Sequence, residues 1–135
     1  MNVLETEWWT LAIPPEWWAE SEEESILVGD HDGVGCIEVS TLLKESGEFD
    51  PASVKAVAVE ESEQPLSWQS VTLGDFRGVQ ADYLEQGTAM REWYLADGPV
   101  LLFITYSCEE ENRGMDDTAV DAILDTLLRV EVETS

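Results

Sequence analysis

An α+β fold is what this sequence predicts: an antiparallel β-sheet sandwiched by helices, in a single domain over residues 1–135. Three observations predict it. Apolar stretches of strand length recur along the chain and are separated by turn residues. Two segments, opening at Asp50-Pro51 and at Asp116, carry helix-start signals with apolar residues at helical spacing behind them. Hydrophobic residues make up 44% of the chain and include six Trp, enough apolar material for one packed core and against general disorder.

Glu7 to Ile13 alternates as a half-buried strand, with Trp9, Leu11 and Ile13 on one face and Trp8, Thr10 and Ala12 on the other. Pro14-Pro15 ends it, because two prolines cannot continue a hydrogen-bonded ladder. Trp17 to Glu22 is expected to return as a second strand. Ile26 to Gly29 and Val34 to Leu43 form a hairpin turning at Asp30-His31-Asp32-Gly33, where Gly33 is free to take positive φ.

A helix follows, with Asp50 as N-cap, Pro51 at the first helical position and a narrow stripe of Val54, Val57 and Ala58. Glu60, Glu61 and Glu63 oppose the negative end of its dipole, so the end is expected to fray, and Pro65 stops it. A four-stranded meander comes next: Ser67 to Leu73, Gly78 to Glu85, Ala89 to Leu95, and Pro99 to Cys108. Its turns fall at Gly74-Asp75, Gly87 and Asp97-Gly98. The closing helix is predicted from Asp116 to Val130, with Ile123, Leu124, Leu127 and Val130 on one side.

In these residues the chain resembles the PsbP-like superfamily, which includes Ran-binding nuclear import factors, DcrB-like proteins and Eag-type chaperones. The resemblance is carried by the opening strand into IPPEWW, the Asp32-Gly33 hairpin, WYLADGPVLLFITYSC and a closing helix like AVDAILDTLL. Glu16 stands where the family pattern has Gly. The resemblance implies a sheet between helices and no shared activity, since fold alone does not carry function.

Charge narrows the partners. Thirty Asp and Glu against six Lys and Arg give a net charge of −24. Nucleic acid binding needs clustered Lys and Arg, and an anionic membrane would repel such a chain, so neither is an expected partner. The acidity is compatible with solubility, with a saline cytoplasm, or with a basic partner. No apolar run approaches the roughly 20 residues that span a bilayer. The N-terminus lacks a secretory signal pattern and begins with Met, which points to cytoplasmic residence. Cys36 and Cys108 lack CxxC spacing and are expected as reduced thiols, although a disulfide between them is not decided by sequence.

The sequence carries no cofactor motif and no recognisable catalytic constellation. His31, the sole histidine, falls in a turn, and no nucleophile elbow accompanies it. Asp30-x-Asp32 begins like an EF-hand loop, but Val34 and Thr41 replace ligands and strands replace the flanking helices. One His and two distant Cys do not make a usual zinc site. Gly33-x-Gly35 lacks the third glycine of a dinucleotide loop. Carboxylate pairs are uninformative where acids are everywhere.

The tryptophans say more. Neighbours on a strand face opposite ways, so Trp8-Trp9 and Trp17-Trp18 each divide between two faces. Trp9 belongs with the core. Trp18 shares its face with Glu20 and Glu22, and Trp8 is intermediate. Either a helix covers that second face and the pairs are packing, or an acid-rimmed aromatic anchor receives a partner. The binding candidates are therefore Trp8, Trp18, Glu20 and Glu22. The leading function is a non-catalytic module, such as a chaperone, adaptor or immunity-type protein, that docks a basic or amphipathic protein. The alternative is a small carboxylate-dependent hydrolase or ligand-binding enzyme. An acid of raised pKa in a cleft would favour the enzyme, and an open acid-rimmed aromatic patch would favour binding.

Overall fold

The computed structural model of the chain describes residues 2–23, 25–31, 33–44, 47–61 and 66–130. The expected turn residue Asp32, and Glu63 and Pro65 beyond the first helix, lie outside the described residues.

Two antiparallel sheets make up the fold. The smaller has the order β1-β2-β10, built from β1 (Asn2–Glu5), β2 (Trp9–Ile13) and β10 (Leu128–Arg129). The larger has seven strands in the order β3-β4-β5-β9-β8-β7-β6. Its members are β3 (Trp17–Ser21), β4 (Ile26–Asp30), β5 (Gly35–Leu43), β6 (Gln69–Leu73), β7 (Phe76–Glu85), β8 (Thr88–Asp97) and β9 (Val100–Glu109). Helix α1 (Pro51–Glu61) falls between β5 and β6, and α2 (Asp117–Leu124) between β9 and β10.

This arrangement corrects the expected helix-sandwiched, PsbP-like α+β layout: strands dominate, and two of the layers are sheets. The inner face of the large sheet is covered by the small sheet and α2 together. Trp9, Leu11 and Ile13 of β2 share one core with Val28, Ile37, Trp93, Leu102 and Ile104 of the large sheet and with Val120, Ile123 and Leu124 of α2. Among the described residues the outer face is covered where Val54 and Ala58 of α1 pack on Val79, Tyr94, Ala96 and Leu101. The expected layout fails because Pro14-Pro15 does more than end a strand. It moves the chain from one sheet to the other, so β2 and β3 follow each other in sequence and pair with different partners.

The closing helix is also shorter than expected. Ile123, Leu124 and Leu127 are all buried, as helical spacing implies, but α2 ends at Leu124. The chain then turns, with Thr126 Oγ1 donating to Ile123 O at 2.6 Å while accepting from Ala12 N at 2.9 Å. Leu128 and Arg129 complete the small sheet against Thr10 and Trp9. Asp75 N donates to Leu127 O at 2.9 Å and Arg129 N to Asp75 Oδ2 at 2.9 Å, tying this turn to the β6–β7 corner. A helix running to Val130 would forfeit these bonds and leave β2 an open edge.

Other elements follow local chemistry. Asp50 Oδ1 accepts from Ser53 N at 2.7 Å and caps α1, which holds its carboxyl below the usual carboxylate range. Arg91 of β8 reaches α2, 2.8 Å from Asp121 and 3.5 Å from Asp117, with its guanidinium stacked 4.7 Å over the Trp93 ring. Tyr106 donates to Asp116 Oδ2 at 2.6 Å at the start of α2, and burial, with that bond, pushes the phenol far above its ordinary value.

Candidate functional site

Register places the side chains of the outer face in rows. One row runs Trp18, Gly29, Cys36, Ser107, Met90, Tyr83 across six strands, and the next runs Glu20, Leu27, Glu38, Thr105, Glu92, Ala81. Neither row holds a Lys or Arg. Helix α1 covers the other end of this face, over Val79 and Leu101, and among the described residues no helix lies over the two rows.

Trp18 anchors the edge of that surface. Its partner across the strand pair is Gly29, and a Cβ at that position would fall 2.6 Å from the indole ring. The ring therefore lies across Gly29, and its Nε1 donates to Asp30 O at 3.1 Å. An indole held flat by a close approach and one hydrogen bond has little rotamer freedom left to lose on binding. Trp17, its neighbour in sequence, points inward and is buried. The division of the second tryptophan pair between two faces is the one that the strand period dictates.

The predicted residues separate into two groups. Trp18 and Glu20 share the outer face of β3. Glu22 lies past the end of β3, in the turn where its N donates to Ser25 O at 2.8 Å. Trp8 lies elsewhere: it precedes β2, packs at the margin of the main core, and its carbonyl accepts from Val130 N at 2.9 Å. Trp9 beside it donates through Nε1 to Thr41 Oγ1 at 2.9 Å. Thr41 is five residues along β5 from Cys36, roughly 17 Å at strand rise, and faces inward. Trp8 and Trp18 do not belong to one surface.

Sequence reasoning missed Glu38, Glu92, Leu27, Met90 and Tyr83, which non-local strand pairing brings into the two rows. Glu92 sits in the row nearest α1. Burial pushes its carboxyl above the usual range, opposed by a hydrogen bond from Tyr83 and reinforced by Glu85. Alternation within β8 marks Glu92 and Met90 as same-face residues, but only the order β5-β9-β8-β7 shows which neighbours they meet.

Asp30, the first acid of the calcium-like sequence, accepts from Val34 N at 3.1 Å through Oδ1 and closes the hairpin turn. Among the described residues no group of three or more His, Cys, Asp and Glu could hold a metal ion. His31 is exposed, with its backbone N donating to Glu16 O at 3.0 Å. Cys36 and Cys108 are free thiols in adjacent strands, and the open disulfide question has a geometric answer. Cys108 pairs with Gly35 and Cys36 with Ser107, so the two thiols leave opposite faces of the sheet and cannot bond. Burial raises the Cys36 thiol above its ordinary value.

No protein-family model matches the chain, and no curated relative matches it by sequence. Solved structures do match in fold. A protein from Bacteroides thetaiotaomicron VPI-5482 superposes with a TM-score of 0.68 at 17% identity over 92% of this chain. This chain spans only 46% of that one. LpqN of Mycobacterium tuberculosis, described as involved in cell envelope biogenesis, gives a TM-score of 0.57 at 18% identity, covering 91% of this chain and 83% of LpqN. The likeness is one of fold, shared with bacterial proteins, and neither is described as PsbP-like. It is compatible with a non-catalytic protein.

Proposed function

We propose that this protein is a non-catalytic binding module that docks a basic, amphipathic protein segment on the open outer face of its large sheet. The observation that carries the reading is the pairing of a held indole, Trp18 across Gly29, with a neighbouring row containing Glu20, Glu38 and Glu92 and no cation. Leu27, Met90 and Tyr83 supply partly exposed apolar surface between the acids. An aromatic anchor with same-sign charge around it favours a partner bearing apolar side chains interspersed with Lys or Arg. Burial raises the pKa of the Glu92 carboxyl, as an acid catalyst requires, but its row holds no His, Lys or Arg to work with it, which favours binding over carboxylate chemistry. The envelope role printed for LpqN belongs to LpqN, and cell fractionation of the native protein decides the compartment.

Peptide-library selection on the immobilised protein tests the binding reading. Enriched sequences should be basic and amphipathic, and Trp18→Ala should lose them while Trp8→Ala keeps them. Enrichment of acidic or neutral sequences, or unchanged binding by Trp18→Ala, would overturn the proposal.

A further inference from the structure

At the opposite end of the same sheet, a groove of about 1080 Å³ opens between the first turn of α1, the residues before it, β6, β7 and the β8–β9 turn. Its size is at the upper end of that of small-molecule sites, roughly 300–1,000 Å³. Val54, Val79, Ala96, Phe49 and Pro99 give it an apolar lining.

The distribution of positive charge singles this groove out. The chain has six Lys and Arg. Arg91 and Arg113 form ion pairs remote from the groove, and Lys44 donates to Glu48 O at 3.2 Å while lying 5.4 Å from the Phe49 ring centre. The remaining three, Lys55, Arg77 and Arg129, all line the groove. In a protein with thirty acids a cation finds a carboxylate easily, yet among the described residues Lys55 and Arg77 form no ion pair. They flank one apolar floor. Val54, which Lys55 follows, packs with Val79, and Arg77 is two residues from Val79 on the same face of β7.

Three acids, Glu48, Asp50 and Asp97, also line the groove, and two of them are engaged. Asp50 caps α1 through Ser53 N, and Asp97 lies 3.4 Å from Arg129. Arg129 also donates to Asp97 O at 2.7 Å, and its Nη1 lies 2.7 Å from where a Cβ on Gly98 would stand. Its Nε is buried and has no hydrogen-bond partner among the described residues.

We infer that this groove binds a small organic anion, a phosphate or carboxylate head held by Lys55 and Arg77 and an apolar body resting against Phe49 and Pro99, the partly exposed apolar residues of the lining. The inference does not depend on the peptide-binding face. NMR titration of the full chain with hexyl phosphate, hexanoate, hexylammonium and inorganic phosphate tests it. Hexyl phosphate or hexanoate should give saturable shifts confined to residues 48–55, 70–72, 77–79, 96–99 and 129. The double variant Lys55→Gln, Arg77→Gln changes two exposed side chains and should keep the native spectrum while weakening that binding about tenfold or more. Trp18→Ala should bind both anions as the parent does, so failure of the peptide-binding reading leaves this one standing. Non-saturable shifts with both organic anions, an equal response to hexylammonium, inorganic phosphate binding as tightly as hexyl phosphate, or an unweakened double variant would each overturn it.

Discussion

Trp18 and Gly29 are built for each other: the indole of one lies where a side chain on the other would have to be. The pair sits in register on adjacent strands, so the absence of a Cβ on β4 is what lets an aromatic ring lie flat at the edge of the outer face.

Gly29→Ala should therefore displace the ring. With ring carbon Cζ2 only 2.6 Å from the new Cβ, the indole must swing away and lose its bond to Asp30 O, at a cost of about 1–3 kcal/mol as for other overpacked sites. Tryptophan emission should shift to the red. In the Trp18→Ala background the same substitution should cost much less, and additive costs in the double-mutant cycle would refute the coupling.

Trp9→Ala and Trp18→Ala should differ sharply. Trp9 is 1% exposed in the main core and bonded to Thr41, so its loss should cost about 3–5 kcal/mol. Trp18 is half-buried and rests on one side of a sheet, so its truncation should stay within about 2 kcal/mol. Urea melts of the two variants compare them directly. Equal destabilisation would mean that Trp18 is structural to the same degree.

Glu92 gives the stability a pH dependence of definite sign. Its folded pKa lies above the unfolded value, so between those values the native state binds more protons than the unfolded one. Its contribution is full below the unfolded pKa and is lost as pH rises through the folded pKa. Glu92→Gln should raise the melting temperature at neutral pH and flatten the fall in stability across that window. A variant that melts lower at neutral pH would show that the Tyr83 bond outweighs burial.

Salt should stabilise the protein. A net charge of −24 repels itself, while ion pairs among the described residues involve only Arg91, Arg113 and Arg129. Raising NaCl to about 0.5 M shortens the Debye length to a few ångströms, so more repulsion than attraction is screened. The melting temperature should climb, and a flat or falling profile would contradict this balance.

Arg91 joins α2 to the large sheet through Asp117, Asp121 and the Trp93 ring. Arg91→Lys keeps the charge but loses the planar fork and the stacked face. It should cost about 1 kcal/mol, within the range for partly buried charged hydrogen bonds and cation–π contacts. Calorimetry indistinguishable from the parent would reduce the contact to surface decoration.

The local grammar of the chain is legible in its residues. The hairpin at Asp30 to Gly33, the Asp50 cap, the four strands of the meander and the inward-facing Trp9 follow from residue type and spacing within a few positions. The outer face is half legible: alternation puts Trp18 with Glu20, but it also extends the row to Glu22, which the turn at Ser25 removes. Trp8 and Trp18 look alike because each belongs to a tryptophan pair, and likeness in sequence says nothing about distance in space.

By itself the sequence determined the periods: which residues alternate, where turns must fall, how much charge the surface carries, and which catalytic motifs are missing. Tertiary structure alone decided which strands became neighbours. Period two assigns each side chain to one of two faces, but not to a sheet. The choice between sheets was made at Pro14-Pro15 and again after Leu124, where a few hydrogen bonds to Ala12, Gly74 and Asp75 turned an expected helix into the last strand. The acid row from Glu20 to Glu92 and the cations around the groove exist only because strands far apart in sequence lie about 5 Å apart in the sheet. No local pattern encodes that adjacency, because the energy that fixes it comes from a core shared by residues as distant as Leu11 and Leu127.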